Sequence, residues 1–207
     1  MKTQHTHQST SPLNRIGRAI ALAGLAVALA GCDIARSRQV VGRKPATLDS
    51  QELEGTWRDA EGRSYFLRVT DPAAAHLELA TVETRSDAFE LTRTEIFLRE
   101  QDDVILASLR GTAPEPEGDF AFGRLVVTEG ALVLHLATAP AIRKLALDGT
   151  IGAVITTNSN SENGPRYDVI VTNGFDRLAG ALAAPTGHQY LDMANPVLLM
   201  RQKPGHD

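Results

Sequence analysis

Between residues 65 and 137 apolar and polar residues alternate in short runs. In YFLRV (65–69), Tyr65, Leu67 and Val69 share one face of a strand. HLELATVE (76–83) puts Leu77 and Leu79 on one side. FELTRTEIFLR (89–99) predicts one long strand or two short ones, and VILASLR (104–110), DFAFGRLVVT (119–128) and ALVLHLA (131–137) continue the pattern. The segments AEG (60–62), DPAAA (71–75), QDD (101–103) and EG (129–130) carry the residues of tight turns and predict hairpins. Sequential strands with short turns form an antiparallel meander, which buries one face or curls toward a barrel. GTAPEPEG (111–118) is too rich in Pro and Gly for a strand and reads as a surface loop.

The pattern changes after residue 137. Thr138 is placed to cap a helix with Pro140 in its first turn, where a missing N–H costs little. Ile142 and Leu145 then lie on one side, and Gly149 offers a stop. IGAVITT (151–157) and RYDVIVT (166–172) predict strands on either side of a polar loop, NSNSENGP (158–165). Asn173 and Asp176 resemble an N-cap and first-turn acid, and Phe175, Leu178 and Leu182 follow at i, i+3 and i+7, so a helix is expected over 174–184. NPVLLMRQ (195–202) reads as a last strand and KPGHD as a frayed tail. The expected class is α+β: an antiparallel β-meander curling toward a barrel, with two helices and further strands in the C-terminal third.

The front of the chain is of another kind. Residues 1–18 carry Lys2, Arg15 and Arg18 and no acid, and AIALAGLAVALAG (19–31) carries no charge. As a helix these apolar residues span about 20 Å, short of a bilayer core of roughly 30 Å. A basic stretch, a short apolar stretch and small residues at its end make a secretory signal. Leu29, Ala30, Gly31 and Cys32 resemble the lipobox of bacterial lipoproteins. That resemblance implies a diacylglyceryl group on the Cys32 thiol, cleavage just before it and an acylated new N-terminus. The structural alternative is a buried core cysteine. Cys32 is the chain's one cysteine, which favours lipidation over disulfide pairing. Two or three acyl chains hold stably where one holds reversibly. Asp33 resembles the enterobacterial signal for retention in the inner membrane; the outer membrane stays open.

Three segments follow: a signal peptide (1–31), a flexible basic tether (32–50) and a single β-rich domain (51–207). Removing residues 1–31 takes away three positive charges and no negative ones, so a net charge of −4 becomes −7. CDIARSRQVVGRKPATLDS (32–50) carries four basic residues against two acids, leaving −9 for residues 51–207. Arg36, Arg38, Arg43 and Lys44 therefore stand beside the anchor, where anionic headgroups attract each by about 1 kcal/mol; the alternative is a solvated linker. The acidic domain argues against nucleic acid as a partner.

Candidate chemistry is sparse. Gly55, Thr56 and Trp57 resemble the G-x-W opening of lipocalins, which implies a tryptophan closing one end of a ligand-binding barrel. The plainer reading makes Trp57 a core anchor whose indole N–H seeks one acceptor. TDP (70–72) comes too early for the later lipocalin motif. His76, His135 and His188 lack the spacing of a metal site on one element. His135 is out of phase with Leu132, Leu134 and Leu136 and faces away from them. Asp102 and Asp103 fit a turn better than an acid–base pair, and Asp148 with Gly149 fits a helix stop. Ser64, Ser86 and Ser108 have no glycine frame, and no nucleotide-binding glycine loop is present. The expected protein is a membrane-anchored envelope lipoprotein, a non-enzymatic binding or interaction module with no catalytic residues, metal or cofactor. Its contacts are the membrane through Cys32 and an envelope protein. The alternative is a lipocalin-like carrier of a small apolar ligand or lipid, its binding residues unknown.

Overall fold

The alternating segments become strands that share one inner face. The computed structural model describes residues 34–85, 88–111, 118–158 and 166–202. The chain falls into two compact units, Met1–Gly31 and Cys32–Asp207, and all described residues lie in the second. The expected meander runs through β4 (Ser64–Asp71), β5 (His76–Arg85), β6 (Ala88–Gln101), β7 (Val104–Gly111), β8 (Phe120–Thr128) and β9 (Ala131–Leu136), and a further strand not expected, β3 (Gly55–Arg58), precedes it. The last strand, β12 (Val197–Arg201), pairs antiparallel with both β9 and β3. These eight strands therefore close on themselves, and the meander is a barrel.

Register fixes what faces inward. Trp57 opposes Tyr65, Tyr65 opposes Thr81, and Leu67 opposes Leu79. Leu98 opposes Ala107, which opposes Gly123, which opposes Leu136. Leu67, Leu77, Leu79, Leu98, Leu109, Leu132, Leu134, Leu136 and Leu199 are all buried, so the barrel encloses a leucine core. FELTRTEIFLR lies in one strand, β6. The β6–β7 turn is a two-residue loop in which Asp102 (φ 50) and Asp103 (φ 63) are both left-handed, the geometry that suits strand twist.

A second core lies outside the barrel wall. Strand β8 forks: Gly123 onward pairs with β9, whereas Phe120 and Ala121 pair with β1 (Arg36–Ser37). Strand β1 also pairs parallel with β11 (Arg166–Asn173), which pairs antiparallel with β10 (Gly152–Asn158). Helices α2 (Ala139–Leu147) and α3 (Phe175–Ala183) pack here, burying Ile142, Leu145, Leu178 and Leu182 with the outward-facing Leu106 and Phe122. Thr138 stands at the expected N-cap position of α2, though its side chain makes no capping bond; Pro140 lies in the first turn, and Gly149 (φ 77) follows the helix end. Residues 112–117, 159–165 and 203–207, expected as loops and tail, lie outside the described residues.

Three expectations need correction. The tether is not free from Ile34 onward: Ala35 and Val41 are fully buried in the second core, and the Val41 N–H donates to the buried Ser108 Oγ at 3.0 Å. Strand β2 (Lys44–Pro45) pairs with the far end of β6. The stretch is basic yet folded because two of its arginines are matched by acids of the domain. Arg36 binds Asp168 with both carboxylate oxygens at 2.8 and 2.7 Å, and Arg43 binds Asp176 at 2.9 Å twice. Lys44 lies 3.5 Å from Glu100. These partners lower the charge left for headgroups. Second, the N-cap of α3 is Gly174 (φ 75), not Asn173, whose side chain instead accepts from the Gly152 N–H at 2.9 Å. Third, a short helix, α1 (Ser50–Leu53), precedes the barrel, and a 3-10 turn spans Gly187–Tyr190.

If residues 34–46 are structural, Val41→Ala lowers unfolding free energy by about 2 kcal/mol, since it removes buried methyl groups and leaves a cavity. Urea denaturation followed by tryptophan fluorescence measures this; an unchanged midpoint would restore the free tether.

Candidate functional site

The barrel has one end shut by its own chain. Helix α1 lies at the end where β3 begins and β12 stops, with Leu53 buried. The Trp57 indole N–H donates to the Leu53 carbonyl at 2.9 Å, and Trp57 is fully buried. This is the acceptor that a buried indole requires. Gly55 has φ +137, a conformation open to glycine, which explains the glycine two residues before the tryptophan.

Arg201, opposite Trp57 in register, locks this end. Its guanidinium lies 5.8 Å from the Trp57 ring. It donates to the carbonyls of Gln51, Glu52 and Glu54 at 2.8, 3.1 and 2.9 Å. Carbonyls at a helix C-terminus lack intrahelical donors and carry partial negative charge, so a cation is the fitting partner. Sequence reasoning found Trp57 and missed Arg201, because β12 is distant in sequence from β3.

At the other end the inward-facing Thr81, Thr92 and Val197 are half-buried at the rim. Thr81 Oγ1 donates to the Ser64 carbonyl at 3.0 Å. Between the ends the inward Leu67, Leu79, Leu98, Leu109, Leu132 and Leu134 keep less than a tenth of their surface, and Leu125 is half-buried. Below the rim, Tyr65 Oη donates to Asp59 Oδ2 at 2.9 Å, and Arg63 binds the same carboxylate with its backbone N–H and guanidinium. Burial pushes the Asp59 carboxyl up, but the Arg63 N–H, the Tyr65 hydroxyl and the Arg63 guanidinium outweigh it and hold it below the usual range. Burial, then the bond to Asp59, raises the Tyr65 phenol well above its ordinary value.

The candidate chemical residues are dispersed. His76 stacks on Phe97 with ring centroids 4.3 Å apart, and its Nε2 lies 3.5 Å from Glu95 Oε1, a carboxylate that Arg110 also binds. His135 faces outward as expected, its Nδ1 3.3 Å from the Asp192 carbonyl, and His188 Nδ1 lies 3.1 Å from the Pro185 carbonyl. Among the described residues no three His, Cys, Asp or Glu side chains are placed to hold a metal. Thr70 and Asp71 bond within their own hairpin, to the His76 carbonyl and the Ala74 N–H. Asp148 accepts from the Thr150 N–H just past α2, and its bonds to Thr150 lower its pKa. Ser64 stands at the start of β4, and Ser86 lies outside the described residues, as does Cys32.

A surface groove of about 720 Å³ lies outside the barrel, between Gly42 and Arg43 and the start of α3. The Arg43–Asp176 pair spans it; hydrogen bonding and charge raise the Arg43 pKa and lower that of Asp176. Among the described residues no helix is long and apolar enough to cross a membrane. No family model, no characterised protein and no solved structure matches the chain.

Two outcomes follow. Arg201→Met keeps the stem over Trp57 but removes the donors, and lowers stability by about 2 kcal/mol in urea unfolding. Asp59 has a folded pKa below its unfolded value near 3.9. Its stabilisation is therefore complete above that value and lost as pH falls through the folded pKa. Asp59→Asn is expected to flatten the fall in urea midpoint between about pH 5 and about pH 2, relative to the parent.

Proposed function

We propose that this protein is a lipid-anchored bacterial envelope protein whose barrel acts as a non-enzymatic binding module. The observation that carries the reading is the junction of Leu29-Ala30-Gly31-Cys32 with the folded domain. A lipobox-like signal ends at Cys32, and Ile34 is already bridged to Thr138. The leucine-filled barrel makes the outer surface the more available contact face. The membrane is then one partner and another envelope component the second.

The carrier reading has its own support. An eight-stranded antiparallel barrel, shut at one end by Trp57 and with Thr81, Thr92 and Val197 at the other rim, is compatible with a lipocalin-like binder. Uptake of an apolar ligand would require the inward leucines to part. A stoichiometric lipid or small apolar molecule released by denaturing the purified protein supports this reading over the first.

Expression in a bacterial host with labelled palmitate tests the anchor. The parent chain is expected in the membrane fraction with label, its mass shifted by the acyl groups and lacking residues 1–31. Cys32→Ser is expected to lose the label and either remain uncleaved or become soluble. An unlabelled parent with an intact first methionine sinks the reading.

A further inference from the structure

The barrel wall is covered on one flank only. Helix α3 and residues 34–46 lie over β6, β7 and the start of β8. The flank made by the rest of β8, with β9, β12 and β3, has no second layer of strands. Its outward positions follow from register: Val126 opposes Val133, which opposes Leu198, and Met200 opposes both Ala131 and Arg58. Val126, Leu198 and Met200 are 47%, 38% and 48% exposed, and Val133 joins them into one apolar row. Scattered exposed apolar residues are ordinary, but a row across three neighbouring strands marks a contact surface.

Two observations say what covers it. The first is where the chain arrives. Ile34 bridges Thr138, and the Ala35 N–H donates to the Ala137 carbonyl at 3.0 Å; Ala137 and Thr138 directly follow β9, one strand of the bare flank, where the chain passes to the second core that buries Ala35 and Ala137. Cys32 is two residues before Ile34, a reach of at most ~7 Å. The second is charge. In a chain of net charge −4, the outward positions of β8 beyond Phe122 and of β9, β12 and β3 include no carboxylate. Arg58 and Arg124 are the charged ones, and Arg58 is exposed.

We infer that this flank lies against an anionic phospholipid bilayer, with Val126, Leu198 and Met200 at the headgroup–acyl boundary and Arg58 toward headgroup phosphates. The inference rests on lipidation at Cys32, and adds an orientation to it. The folded segment from Ile34 to Ala46 leaves too little free chain for the domain to stand off, so the anchor and the bare flank meet the same surface. The acidic remainder of the domain then faces away from the membrane.

The test uses mature lipidated protein purified from membranes, in vesicles of phosphatidylethanolamine and phosphatidylglycerol doped with nitroxide-labelled phospholipid. Leu198→Cys, Met200→Cys and, on α3, Arg177→Cys each carry one fluorophore, since a lipidated Cys32 leaves no competing thiol. Co-flotation with vesicles is measured first; protein that does not float defeats the anchor and the inference together. If it floats, quenching at 198 and 200 is expected to exceed that at 177 by about twofold or more, given burial about 5–10 Å into the interface. Equal quenching at all three sites overturns the inference and leaves the anchor standing. Protection of 198 and 200 without lipid, growing with protein concentration, overturns it in favour of a second copy on this flank. Arg58→Glu gives a further check: it should weaken quenching at 200 in these vesicles and leave flotation intact.

Discussion

Closure of the barrel by β12 dictates where every other element of the domain must go. Seven sequential strands leave two open edges, β3 and β9, each with a row of unpaired backbone groups. Strand β12 satisfies both edges with five residues. It reaches that gap only after the chain has made α2, β10, β11 and α3. Those elements must therefore be parked on the barrel exterior, and they are, as the second core around Phe122 and Leu106. Gly123 marks the seam where β8 passes from β1 to β9: a Cβ there would collide with the His135 carbonyl, so close pairing with β9 needs a glycine.

The same closure explains why Arg201 matters beyond its own strand. As the last residue of β12 it arrives beside Trp57 and binds the carbonyls at the end of α1. One side chain thereby ties the barrel's last strand, its first strand and the helix in front of it. Closure and capping are coupled: loosening β12 would expose the edges of β3 and β9 and release the helix under Trp57. A closed end of this kind suits a barrel whose inward leucines pack against one another.

Much of this was legible in residues, and the failures have a common cause. Period-two alternation located β4 to β9 and the inward faces of Tyr65, Leu67, Leu77 and Leu79, because one buried face imposes that period directly; it missed β3, whose four residues are too few to show the period. Turn chemistry located the hairpins at Asp102 and Gly130. What stayed hidden was long-range pairing. Nothing local in VLLMR says that it closes a barrel, and nothing local in IARS says that it adds a strand between β8 and β11. The basic segment read as a tether because Arg36, Arg38, Arg43 and Lys44 promise solvation. The partners of Arg36, Arg43 and Lys44, namely Asp168, Asp176 and Glu100, lie far along the chain and could not be assigned from spacing. The N-cap of α3 was missed by one residue because Asn173 spends its side chain on Gly152, leaving Gly174 to turn the chain.

The folded tether bears most on what such a protein can do. A long free linker would let a domain sample its surroundings, and then no face would be preferred. Here Ala35 and Val41 are core residues, so a pull on the N-terminus is a pull on the second core and on β8. Orientation relative to anything attached at Cys32 becomes a property of the fold. Under the proposed anchor, such a domain would keep one flank toward the membrane and the other away from it. Away from that flank, the groove bridged by Arg43 and Asp176 lies on the surface, and on the outer face of the β5–β6 hairpin Val82 and Leu91 oppose each other and Phe89 is 81% exposed. The hairpin extends past the register of its neighbours, since β4 last pairs with β5 at Thr81 and β7 first pairs with β6 at Thr94. Beyond those rungs, Val82, Phe89 and Leu91 are exposed apolar side chains of the hairpin.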